Sequence, residues 1–154
     1  MSNTNQLLQH FLSHRSVTNE LIQKIEETHY DYKPTPTSMS AQKLVTHMMT
    51  SFYKFVAVVK VGNLSPFQER KEETESSLST LAHTYTTQTV KLLESLTEEE
   101  LEKELEVAAI FGSNLTGKQM LSIAIDHEIH HKGNLFVYVR EMGHTELPLY
   151  MNVK

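Results

Sequence analysis

Cysteine is absent from this chain of 154 residues, and glycine and proline are scarce, with five and four copies. The lack of cysteine excludes disulfides, thiolate metal ligands and a cysteine nucleophile, so any bound metal must use histidine, aspartate or glutamate. The composition, with 39% hydrophobic and 21% charged residues, excludes the fibrous and disordered classes. We expect one globular domain covering residues 1–154.

Long apolar runs are also missing. The longest, such as residues 55–59 and 135–139, are far shorter than the ~20 residues that a membrane-spanning helix needs. The N-terminal MSNTNQLLQH lacks the basic start and apolar core of a signal peptide. We therefore expect a soluble cytoplasmic protein with no membrane partner. The net charge is -5 and the basic residues are scattered, so nucleic acid is not an expected partner either.

Apolar residues recur with the spacing of an α-helix along most of the chain. Pro34 and Pro36 interrupt this pattern, and a T-x-x-Q capping box at Thr116 and Gln119 opens the last helix. With no convincing strand, the pattern predicts an all-α four-helix bundle. The predicted helices cover residues 5–29, 40–62, 73–96 and 116–142, with Gly62 and Gly143 as the expected stops of the second and fourth.

The segment between the third and fourth helices, residues 96–116, is the hardest to interpret. Thr97 and Glu100 could cap a short helix at its acidic start. The remainder has no long helical pattern, and a connection of this length in a small domain usually either crosses over the bundle or covers a site. The acidic run itself is most simply a solvated face.

The stretch DHEIHHKGN, residues 126–134, contains the clearest candidate site. At about 100° per residue, His127 and His131 lie within about 20° of the apolar line through Met120, whereas Glu128 and His130 lie about 80° to either side. Only the i, i+4 histidine pair is therefore expected to point into the bundle. Such a pair is either two hydrogen-bonded core histidines or part of a metal site.

A third histidine from another helix would favour the metal site, because three imidazoles leave room for water or substrate on the ion. His47 is the leading candidate, since it lies about 60° outside Leu44 at the edge of the second helix's apolar stripe. Helical rotation alone does not choose among the histidines, because four others also lie on predicted helices: His10, His14, His29 and His83.

Residues 127–131 also match H-E-x-x-H, the signature of zinc peptidases. The metzincin form continues with a glycine and a third histidine, but this chain has Asn134 and Val137 at those positions. The other zincins take a carboxylate ligand from a later helix, and the residues after His131 leave no room for one. A zincin-type peptidase is therefore disfavoured.

Two longer stretches, YDYKPTPTSMSAQKLVTHM and LSIAIDHEIHHKGNLFVYVREMGHTELPLY, carry a wider pattern. In it the chain resembles the DinB/YfiT superfamily of bacterial metal-binding four-helix bundles, over almost its whole length. Relatives often read His-Arg-Gly-Gln where this chain reads His-Lys-Gly-Asn, which leaves the three histidines in place. The matching positions are His47, the pair His127 and His131, Lys132-Gly133-Asn134, an aromatic residue (Phe136 or Tyr138) with Arg140 and Gly143, and then Pro148 and Tyr150.

The resemblance implies a long crossover between the third and fourth helices, a homodimer, and a nickel or zinc ion held by His47, His127 and His131. It also implies a small-molecule substrate, because similar proteins act on low-molecular-weight thiols such as bacillithiol as S-transferases or thiol-dependent isomerases. Asn134 would then support a ligand or line the pocket. The alternative is a non-catalytic metal-binding, ligand-binding or stress-response bundle.

Overall fold

Four long helices form a bundle in the computed structural model, which describes residues 2–153. The predicted all-α fold is confirmed. No helix within these residues has both the length and the apolarity to span a membrane. The long helices are α1 (Asn3–Gln23), α2 (Ala41–Val61), α4 (Leu78–Glu94) and α7 (Gly117–Glu141), and the short ones are α3 (Ser65–Gln68), α5 (Glu98–Glu102) and α6 (Ala108–Phe111).

The ends of α2 and α7 follow the capping rules that their sequences indicated. The Ser40 side chain accepts a hydrogen bond from the Lys43 amide, and α2 stops at Gly62 with a φ of 92°. Thr116 and Gln119 form the expected capping box at the start of α7. Gly143, with a φ of 104°, follows its end.

The first and third helices are shorter than predicted. Helix α1 ends at Gln23 instead of residue 29, and a separate 3-10 helix covers Glu27–His29. Helix α4 begins at Leu78 instead of residue 73, because side chains compete with helical hydrogen bonding before it. Glu73 accepts from the Glu75 amide, and Glu75 accepts from the Ser77 amide.

The crossover between α4 and α7 contains α5, α6 and a small antiparallel pairing that the sequence did not indicate. Strand β1 (Glu104–Leu105) pairs with strand β2 (Leu115–Thr116). The capping box of Thr97 and Glu100 starts α5 as predicted. Gly117 is required where α7 leaves the crossover, because a Cβ there would lie 2.5 Å from the Glu100 carbonyl oxygen.

Each of α1 and α2 packs against both α4 and α7. Two groups of buried apolar side chains fill the bundle, one around Phe11, Phe52 and Met120 and the other around Leu21 and Leu135. Between these two levels, α1 and α7 contribute buried polar side chains. The polar level is where the candidate site lies.

A buried ion pair joins α1 to α7 at this level. Nε and Nη2 of Arg15 each donate to a different oxygen of Glu128, both at 2.9 Å, and the side chains are 0% and 1% exposed. Thr18 donates a third hydrogen bond to the same carboxylate at 2.7 Å. Arg15 also donates to Thr86 of α4 and stacks over Phe11. The carboxylate and guanidinium are thus satisfied without water, which burial of charge requires.

Lys132, one turn after Glu128, is also buried and ties down the C-terminal segment. Its Nζ donates to Nδ1 of His14 at 2.6 Å and to the Tyr150 carbonyl. Burial and the neighbouring Lys132 charge lower the pKa of His14 to about 4, which keeps that imidazole a neutral acceptor. The Asn152 amide donates to the Ser13 carbonyl at 2.8 Å, so the segment lies across α1.

Replacing Arg15 by alanine should destabilise the protein strongly, because Glu128 would remain buried without its partner. The expected loss in the free energy of unfolding is about 3–5 kcal/mol. Urea denaturation measures it. The matched control is Lys60→Ala, which breaks the half-exposed Lys60–Glu100 pair, 3.2 Å long, and should cost no more than about 1 kcal/mol. Equal losses in the two variants would contradict the importance of the buried pair.

The Glu128 carboxylate should also make stability depend on acid pH. Burial alone would raise its pKa, but the Arg15 charge and the hydrogen bonds from Arg15 and Thr18 outweigh burial and hold the pKa below 4.5. Its contribution is therefore complete above pH 4.5 and is lost as pH falls through the folded-state value. Unfolding free energies of wild type and Glu128→Gln should converge as pH falls, and a constant difference would count against this assignment.

Candidate metal centre

His47 of α2 meets His127 and His131 of α7 on the side of α7 that faces α2. Their candidate ligand nitrogens all lie within 4.8 Å of one another, and the Nε2 atoms of His47 and His127 are 3.0 Å apart. The three rings pack edge to face, with centroids 4.5–4.9 Å apart. The structure therefore brings together the three histidines that the sequence singled out, which we call the histidine triad.

Two polar side chains lie next to the Nδ1 atoms of two of the three rings, and we call these atoms the outer nitrogens of the triad. Asn134 Oδ1 lies 3.3 Å from Nδ1 of His131. Since a carbonyl oxygen can only accept, that Nδ1 carries the proton, and Nε2 of His131 is left as an unprotonated ligand atom. Ser51 Oγ lies 3.2 Å from Nδ1 of His47, one helical turn along α2. Such hydrogen bonds fix the orientation of metal-ligating imidazoles.

The imidazoles of the triad are in the neutral form that metal binding needs. Burial lowers the pKa of His47 and, together with the nearby His47 ring, that of His131. Burial and repulsion from His131 and His47 lower the pKa of His127 to about 4. At neutral pH the three rings therefore present lone pairs and no positive charge.

Aromatic rings lie on one side of the triad, one from α2 in contact with it and two from short helices behind that one. The Phe55 ring centroid is 6.0 Å from that of His127. Phe67 of α3 and Phe111 of α6 pack on Phe55, at 5.2 and 6.0 Å between centroids. Through Phe111, the crossover thus contributes to the surroundings of the triad. Covering a site was one of the two roles that the length of this connection suggested.

The other candidate histidines do not join the triad. His14 faces the opposite way and accepts from Lys132. His10 and His83 are exposed, and His29 lies on the separate 3-10 helix. His130 is also exposed, although its ring centroid is 4.8 Å from that of His131.

The expectation that only His127 and His131 of this stretch point inward was wrong. Glu128 and Lys132 are each 2% exposed and face α1, so α7 is buried on two sides. Glu128 is therefore neither a surface carboxylate nor a partner of the triad's ring nitrogens. Ser51 was missed, although its position four residues after His47 was a usable signal. Arg15 was missed because nothing local marks an arginine as buried.

The donor set fits a divalent metal ion. Three neutral imidazoles suit zinc, nickel, copper or iron, and two of the three have their outer nitrogens held by side chains. Two facing neutral imidazoles can share one proton, but the third inward nitrogen then lacks a donor. A cation bound among the three nitrogens would satisfy all of them. The triad could thus hold a metal.

Comparison with known proteins shows the family to which the chain belongs. The model of the DinB family matches residues 1–154. The chain is 60% identical over 150 residues to the uncharacterised protein YjoA of Bacillus subtilis (strain 168), covering 97% of each chain. It also resembles the crystal structure of that DinB-like protein, with a TM-score of 0.89 and 58% identity over 96% of this chain and 99% of the other.

A DinB-like protein from Bacillus cereus ATCC 10987 shares only the fold. Its structure gives a TM-score of 0.72 at 19% identity, over 92% of this chain and 93% of the other. The family match over the full length and the high identity to YjoA agree with the helical bundle. The chain belongs to the DinB family.

Proposed function

We propose that His47, His127 and His131 hold a divalent metal ion, nickel or zinc, and that the protein is a metal-dependent S-transferase acting on a low-molecular-weight thiol such as bacillithiol. The convergence of three neutral imidazoles, two of which have their outer nitrogens held by side chains, carries the proposal. An ion with three neutral ligands keeps its full charge and open positions, and it can lower the pKa of a bound thiol.

The residues of the chain have separate roles in this proposal. The triad binds the ion, and Ser51 and Asn134 orient two of its rings. No side chain is needed as a general base, and Glu128 is committed to Arg15. In the reaction the thiol proton passes to solvent, the sulfur forms a bond to an electrophilic carbon, and the leaving group departs with the bonding electron pair.

Two further parts of the proposal concern the setting of the reaction. Low-molecular-weight thiols remain reduced in the cytoplasm, and we place the protein there. We also propose a homodimer, as the family resemblance implies. Light scattering of the purified protein tests the dimer independently of the metal.

Metal content is the direct test of the triad. Untagged wild type should contain close to one nickel or zinc per chain by mass spectrometry, and His127→Ala should lose most of it because two ligands bind a divalent ion far more weakly than three. The matched control is His83→Ala, an exposed histidine of α4, which should keep the wild-type content. If wild type binds no metal after reconstitution with both ions, the three histidines are structural core residues and the metal site is rejected.

A conjugation assay separates the transferase from a non-catalytic bundle. Metal-loaded wild type should join a low-molecular-weight thiol to an aryl chloride with release of chloride, and His127→Ala should not. Stoichiometric metal without turnover over a panel of thiols would reject the transferase and favour a metal-binding or sensing role.

Ser51 and Asn134, which hold the outer nitrogens, should increase the affinity of the triad for the metal. Ser51→Ala and Asn134→Ala should each weaken binding by about 10–100-fold, because an imidazole without its outer partner is less well oriented and less basic. Competition with a chromogenic chelator measures the affinity. Ser122→Ala, at an exposed position of α7, is the matched control and should bind as wild type does. Unchanged affinity in both variants would remove Ser51 and Asn134 from the site.

A further inference from the structure

A cavity adjoins the triad along α2 and is bordered by the loop before α4. One part, of about 410 Å³, has His47 in its wall together with Thr46, Thr50 and Glu73. A second part, of about 480 Å³, shares Thr46, Thr50 and Glu73 and extends to Tyr85 of α4. The two parts therefore adjoin, and each has a volume within the ~300–1,000 Å³ of small-molecule sites.

The walls of this cavity carry charges of both signs that are not paired with one another. Lys43 and Lys71 supply positive charge, and Glu73 and Glu75 supply negative charge. The ion pairs found within residues 2–153 lie elsewhere, at Arg15–Glu128 and Lys60–Glu100. Unpaired charges of both signs around one cavity are suited to a molecule that carries complementary groups of both signs.

The acidic wall is held in place by hydrogen bonds. The Tyr85 hydroxyl donates to one oxygen of Glu73 at 2.9 Å, and the Glu75 amide donates to the other at 3.2 Å. Tyr85 is itself packed edge to face on Tyr53, with ring centroids 6.2 Å apart. The carboxylate is thereby preorganised, which reduces the entropy lost when a ligand binds.

We propose that this cavity binds the polar body of the thiol substrate, a small zwitterionic molecule with carboxylate and ammonium groups, with its sulfur directed past His47 toward the triad. Carboxylates of the ligand pair with Lys43 and Lys71, and its ammonium pairs with Glu73. The hydroxyls of Thr46 and Thr50 supply further hydrogen-bonding groups beside His47. The identity of the ligand as a thiol rests on the proposed function, whereas the recognition of a zwitterion rests on the cavity.

The test uses S-methylglutathione, which has two carboxylates and one ammonium but no ionisable thiol. In an NMR titration of the full chain it should shift the amide signals of Thr46 and Thr50, both in metal-loaded protein and after treatment with EDTA. Lys43→Ala/Lys71→Ala should lower its affinity at least about tenfold through loss of charged hydrogen bonds. The dimethyl ester, without free carboxylates, should bind wild type correspondingly more weakly.

The matched control is Lys118→Ala, which removes an exposed lysine at the start of α7, outside the cavity. It should bind S-methylglutathione as wild type does. Equal weakening in this variant and in the double variant would overturn the proposal, since it would reveal only the effect of net charge. Shifts that map away from α2, or no shifts at millimolar ligand, would also overturn it.

A turnover assay distinguishes failure of the proposed binding site from failure of the proposed transferase activity. Zwitterion binding at the cavity without any conjugation supports the binding site and rejects the transferase. If wild type conjugates glutathione and Lys43→Ala/Lys71→Ala does so equally well, the cavity is not the binding site of the thiol. The transferase proposal would then stand without it. If both proposals hold, the double variant should raise KM for glutathione and leave that for the uncharged 2-mercaptoethanol unchanged.

Discussion

Arg15 and Glu128 form a buried, bidentate ion pair that fixes how α7 is rotated against α1. Any other rotation would leave a charge in the core without a partner, which costs several kcal/mol. Residues next to each other on a helix point about 100° apart. Once Glu128 faces α1, His127 must therefore face away from it, toward α2, and His131 follows one turn later. The ion pair and the histidine triad are thus two consequences of one helix orientation.

The buried polar groups on the two sides of α7 differ in charge. On the α1 side the buried groups are charged: Arg15 pairs with Glu128, and Lys132 donates to His14 and to the Tyr150 carbonyl. On the α2 side the polar groups are neutral imidazoles, because burial has lowered their pKa values and Ser51 and Asn134 hold two of them from outside. A set of uncharged, oriented donors is suited to a cation that keeps its charge for chemistry.

The surroundings of the triad are uneven. Phe55, with aromatic rings from α3 and α6, makes an apolar boundary next to His127, and the loop before α4 brings charged side chains to a cavity that includes His47. Each boundary combines the long helix α2 with a connection: Phe55 and Thr46 lie on α2, whereas Phe67, Phe111 and Glu73 lie on the connections.

The sequence by itself determined the number of long helices, the capping box at Thr116 and the shared face of His127 and His131, because these depend on spacing and on local hydrogen bonds. It could not choose His47 from the other helical histidines without the family resemblance. Only the tertiary structure decided that Glu128 is buried, that β1 pairs with β2, and how the cavity is lined. These features join residues far apart in the chain, and helical periodicity carries no information about which helices become neighbours.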